Sequence, residues 1–242
     1  SSCGDSWFER EPKNILTNEL VWNDPNMIKS QLANLYNRIP QLHGDFNTGG
    51  MCETDDAMYC GTLDQNYRNE LRYGNDYGRW WDYGLIRDIN MSIENIDKYG
   101  TDISADEKLQ FKAEFRFIRA YVYFELVRRM GGVPLITKSL TAEEAQQVTR
   151  ASYDDCMKQI IADCDTAANR LPEQYKGSSE SVGFDDKKEL GRPTTGSAYG
   201  LKSRALLYWA SPLNNPNNDK QRYKLAIDAA QKVVESAFRY KL

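Results

Sequence analysis

Residues 106–137, DEKLQFKAEFRFIRAYVYFELVRRMGGVPLIT, decide how the rest of the chain must fold. Ser104 lies just before this stretch and Glu107 three residues further on. That is the spacing of a capping box, in which two side chains satisfy first-turn N–H groups that no carbonyl can reach. At the other end, Gly131 and Gly132 permit the left-handed backbone that closes a helix. Pro134 then forbids resumption, having no N–H and a ring that clashes with the preceding turn. Between these signals Phe111, Phe115, Ile118, Val122 and Leu126 recur at steps of three and four. Ala113, Phe117, Ala120, Tyr121, Phe124 and Val127 form a second stripe, rotated away from the first, and Lys112, Arg116 and Arg119 occupy the gap on one side. A helix that is apolar on two faces needs neighbours on both, as in a bundle or a helix-repeat stack.

The flanking sequence supplies those neighbours. Asp24 followed by Pro25 opens a helix with Ile28, Leu32, Leu35 and Ile39 as its stripe, closed by Pro40. Residues 80–99 form the next, with Ile86, Ile89, Ile93 and Ile96 on one face and Gly100 as the stop. Ser152, with Asp155 three on, starts a helix carrying Met157, Ile160, Cys164, Ala168 and Leu171, ended by Pro172. Thr195 caps another through Trp209, and after an Asn-rich turn at 214–218 a last helix carries Tyr223, Ala226, Ile227, Ala230 and Val234. Residues 1–23 show no strong periodicity, and 138–151 read as polar connection. The fold class is all-α, with long loops at 41–79 and 173–194.

Several of these stretches resemble one family. The run F-x-A-E-x-R-F-I-R-A-Y-x-Y-F-E-L-V-R-x-x-G-G-V-P-L-I at 111–136 resembles the signature of SusD/RagB proteins, outer-membrane nutrient-binding lipoproteins of the Bacteroidetes. R-W-W-D-Y-G-L-I-R-D-I-N at 79–90 is similar to that family's W-x-x-Y-x-x-I-x-x-x-N helix, and G-R-P-T-T-G-S-A-Y-G-L-K-S-R-A-L-L-Y at 191–208 to a further block. The resemblance implies that 1–242 is a single SusD-like helical domain, the N-terminal half of a longer chain, with divergent tetratricopeptide-like helix pairs over 107–242. The strict repeat of about 34 residues is broken by inserts at 131–151 and 172–194. It also implies a function: capture of an oligosaccharide at the outer face of the outer membrane and delivery to a TonB-dependent, SusC-like transporter. Cys3, preceded by Ser1 and Ser2, would carry the lipid anchor. The alternative is a tetratricopeptide-type adaptor that binds peptides or proteins.

Composition excludes other classes. Charged residues make up 27% of the 242, net charge is only −4, and no basic stripe marks a nucleic-acid partner. No run of 18 apolar residues spans a bilayer as a helix. Among the five cysteines, Cys3, Cys52, Cys60, Cys156 and Cys164, none forms C-x-x-C, and the sole histidine is His43, so neither a zinc site nor a disulfide framework is expected. Cys52 and Cys60 flank a loop and can pair; Cys156 and Cys164 share a helix about 12 Å apart and cannot. G-x-S-x-G, G-x-x-x-x-G-K-[ST] and H-E-x-x-H are all missing, and no cofactor or catalytic residue is expected.

The candidate ligand region is 41–79, with Trp80 and Trp81 at its end. Asp45, Asn47, Asp55 and Asn75 are placed to hydrogen-bond sugar hydroxyls, and Trp80 or Trp81 to present a flat ring to a sugar face. Adjacent helical residues point about 100° apart, so the two tryptophans do not share one environment. Each is either a core residue or a stacking platform.

Overall fold

A computed structural model describes residues 16–39, 81–175 and 191–236. Among them are eight helices: α1 (Asn18–Asn23), α2 (Pro25–Arg38), α3 (Tyr83–Tyr99), α4 (Ala105–Met130), α5 (Ala142–Gln146), α6 (Tyr153–Arg170), α7 (Thr195–Ala210) and α8 (Lys220–Val234). No strand occurs among the described residues; Pro134 and Arg150 form an isolated bridge. Each helix begins on a residue that accepts a first-turn N–H through its side chain: Thr17, Asp24, Asp82, Ser104, Thr141, Ser152, Thr194 and Asp219. Such a cap typically contributes about 1 kcal/mol.

α4 is the hub. It packs on α3 on one side and on α6 on the other, and α6, α7 and α8 follow as successive antiparallel neighbours. All five residues of its first stripe are buried, as are Ala113, Ala120, Phe124 and Val127 of the second. Phe124 meets Tyr208 of α7 edge to face, with centroids 5.3 Å apart. Ala113, Ala167, Ala168 and Ala198 form a separate small cluster, and their short side chains let α4, α6 and α7 approach closely.

The gap between the stripes of α4 is occupied by buried charge. Arg119 is 3% exposed and Asp163 of α6 1% exposed. The guanidinium donates from Nε and Nη2 to the two Asp163 oxygens, both at 2.7 Å, and from Nη1 to Asn90 Oδ1 and the Thr137 carbonyl. Arg116 adds a second cation to the same carboxylate at 3.0 Å. Glu114, also fully buried, accepts from Tyr36 of α2 and pairs with Arg192 ahead of α7. Glu125 pairs with Arg128 and Arg129 one turn on. Each of these charges has an opposite partner, as burial requires, and Glu125 meets both of its arginines through Oε2, leaving the buried Oε1 without a hydrogen bond.

After α4 the chain reverses on Gly131, at φ +73°, and passes so close to the next crossing that a Cβ on Gly132 would lie 2.1 Å from the Ala151 carbonyl oxygen. The segment 133–138 then runs extended without a sheet. Side chains take the place of a neighbouring strand: Tyr83 and Asn90 of α3 donate to the Pro134 and Ile136 carbonyls, and Tyr123 accepts from the Ile136 N–H. Buried backbone groups need such partners, and here the helices provide them.

Several boundaries differ from expectation. α1 precedes Asp24, six residues long and too short for a periodic signal. α3 starts at Tyr83 with Asp82 as its cap, so Trp81 stands outside the helix. Thr194, not Thr195, caps α7; the Thr195 hydroxyl instead donates to the Leu171 carbonyl. The polar connection 138–151 contains α5, opened by a full Thr141–Glu144 capping box. At Ser104 the box is incomplete, because Glu107 accepts from the Ser104 hydroxyl and not from its N–H. In α8, Ile227 and Val234 are 56% and 79% exposed, and Ala226 and Ala229 are the buried positions.

Two substitutions test this architecture. Phe124→Ala should cost about 3–5 kcal/mol, the range for a core aromatic. Asp163→Ala should cost about 3–5 kcal/mol, because it leaves Arg119 buried and unneutralised. Urea denaturation measures both; a loss under about 1 kcal/mol for either would show that its site is not the packed core described.

Candidate functional site

The end of α2 and the start of α3 meet at one corner. Arg38, the last residue of α2, pairs with the α3 cap Asp82 at 3.2 Å and with Asp88 one turn further. Asp82 does two jobs there, since it also accepts from the Leu85 N–H at 2.8 Å. Residues 40–80 therefore leave and rejoin the described fold at the same place.

Trp81 stands at that corner and is 40% exposed. Its ring stacks on Tyr83, with centroids 6.2 Å apart and planes inclined by 26°. Tyr83 is itself held, its hydroxyl donating to the Pro134 carbonyl at 2.8 Å. Burial raises the Tyr83 pKa above its usual value, so the phenol stays protonated and remains a donor. The indole is thus seated on a ring that is fixed to the core, and keeps a large part of its surface in solvent. An exposed aromatic face beside carboxylates and a guanidinium is suited to a ligand with apolar C–H patches and polar edges.

Of the predicted site residues, Trp81 is the one the structure places. Asp45, Asn47, Asp55, Asn75 and Trp80 lie outside the described residues, as does Cys3, and so do Cys52 and Cys60. The supporting residues Arg38, Asp82 and Tyr83 escaped sequence reasoning. Asp82 carried a local signal, an acidic residue three before Leu85, but the adjacent tryptophans suggested that the helix had already begun.

Cys156 and Cys164 are free and buried in α6, and burial raises both thiol pKa values, away from the reactive thiolate. Among the described residues, no group of three His, Cys, Asp or Glu side chains is placed to hold a metal ion, and no helix is long and apolar enough to cross a membrane.

Residues 7–207 match the SusD-like family described as starch-binding and associating with the outer membrane, and the chain belongs to that family. Similar curated proteins include a SusD-like protein of Bacteroides ovatus, 25% identical over 98% of this chain and 42% of its own length. SusD-like protein P38 of Formosa agariphila is 27% identical over 71% of this chain and 35% of its own. The chain thus spans less than half the length of these relatives. Among solved structures, a SusD-like protein from Bacteroides fragilis superposes with TM-score 0.68 at 28% identity, covering 92% of this chain and 40% of that one. A laminarin-binding SusD-like protein has the same fold, with TM-score 0.67 at 23% identity over 91% of this chain and 46% of that one.

Proposed function

We propose that this chain is the N-terminal half of a lipid-anchored glycan-binding protein on the outer face of the outer membrane, which captures oligosaccharides and passes them to a TonB-dependent, SusC-like transporter. It binds and does not catalyse. The observation that supports this most is Trp81: an exposed ring, stacked on an anchored tyrosine, at the root of the polar segment 40–80. In this reading Trp81 supplies the stacking face, while Asp45, Asn47, Asp55 and Asn75 of that segment hydrogen-bond hydroxyls, with Trp80 beside them. The region 41–79 is then the ligand region and 107–242 its helix-pair support. Cys3 carries the lipid. The adaptor alternative needs a groove lined by 107–130 and 195–210, whereas α4 has both apolar faces buried against its neighbours.

The platform is tested in the full-length protein by Trp81→Ala. Calorimetric titration with maltooligosaccharides and laminarin oligosaccharides should show affinity weakened about tenfold or more. Stability should fall by only about 0.5–1.5 kcal/mol, the worth of one aromatic pair. Early unfolding with normal binding per folded molecule would place the platform elsewhere. The anchor is tested by Cys3→Ala, which should release the protein from the outer-membrane fraction with its circular dichroism unchanged. Retention of that variant in cells lacking the transporter would refute the anchor.

A further inference from the structure

A cleft of about 620 Å³ opens where the end of α6, the first turn of α7 and the end of α8 meet. It shares no residue with the Trp81 corner. Its volume falls within the roughly 300–1,000 Å³ typical of small-molecule sites. Its walls are set by backbone-anchored contacts: the Thr195 N–H donates to the Pro172 carbonyl at 3.0 Å, and the Thr195 hydroxyl to that of Leu171 at 2.6 Å. These bonds fix the start of α7 against the end of α6, so the cleft is preformed, which lowers the ordering cost of binding.

The chemistry of the lining is selective. Asn169, Glu173, Lys232, Glu235 and Ser236 present polar groups, and Tyr199 presents part of a ring whose remainder packs on the alanine cluster of α4, α6 and α7. Two carboxylates stand against one ammonium, which disfavours a phosphate or other anion. No apolar surface is large enough to hold a lipid chain. A carboxylate accepts, an ammonium donates and an amide does both, so this set matches a ligand rich in hydroxyls, each of which is donor and acceptor. Ser236 Oγ adds an independent pointer: it belongs to a lining residue, is shut off from solvent and has no hydrogen-bond partner among the described residues, so a turn about χ1 into the cleft, where a ligand hydroxyl could bond it, would relieve an unmade bond.

We propose that this cleft is a second carbohydrate subsite, taking a short neutral oligosaccharide. It rests on the glycan-binding reading of the protein. The test uses the full-length protein, maltooligosaccharides and laminarin oligosaccharides as probes, and the double substitution Lys232→Ala with Glu235→Ala, one in the last turn of α8 and one its C-cap, both exposed. Calorimetry of the unsubstituted protein should show two binding phases. Trp81→Ala should leave the weaker phase intact, and adding the double substitution should weaken it about tenfold. A single phase abolished by Trp81→Ala alone overturns the second subsite and leaves the first reading standing. A residual phase that ignores the double substitution does the same. Absence of all binding overturns both.

Discussion

A guanidinium taken out of water must be neutralised where it lies, and much of this fold follows from how that is done for Arg119. Its carboxylate comes from α6, its remaining partners from α3 and from the segment after α4. The four pieces are separated in sequence but share one planar group with donors in fixed directions. Hydrophobic stripes alone would permit α4 to slide or rotate against its neighbours at modest cost. A bidentate pair with a carbonyl and an amide behind it does not, because displacement leaves several buried groups unbonded at once. The apolar contacts drive α4 inward, and the ionic contacts set its register.

The local part of this architecture was legible. Stripes at three and four residues, capping residues at helix starts and Gly131 at a reversal each depend on neighbours within a turn or two. They identified α2, α3, α4, α6, α7 and α8 and the buried faces of α4. What escaped reading depends on distant partners or on very short elements. Nothing near Arg119 announces Asp163, which lies 44 residues away. α1 and α5 are too short to establish a period. In α8 the small residues Ala226 and Ala229 pack inward because α7 comes close, and the larger Ile227 is turned out, a choice governed by the interhelical gap and not by hydrophobicity.

Little of the Trp81 corner is legible in the sequence. The paired tryptophans are expected inside α3, where a helical Trp81 would have the packing environment of that helix. Its actual position before the Asp82 cap gives it a different support, Tyr83, which in turn depends on the Pro134 carbonyl. Trp81 is therefore connected through two contacts to the same extended segment that Arg119 holds through Thr137. The Arg38–Asp82 pair closes the corner from the other side.

The middle of α4 is enclosed by α3, by α6 and by its own charged layer, and offers little tolerance for substitution. The longest stretches between its packed helices are 40–80 at the Arg38–Asp82 corner, 131–152, which holds the short α5, and 171–194. A rigid hub of this kind confines tolerated change to its edges, which can be rewritten without the core having to be solved again.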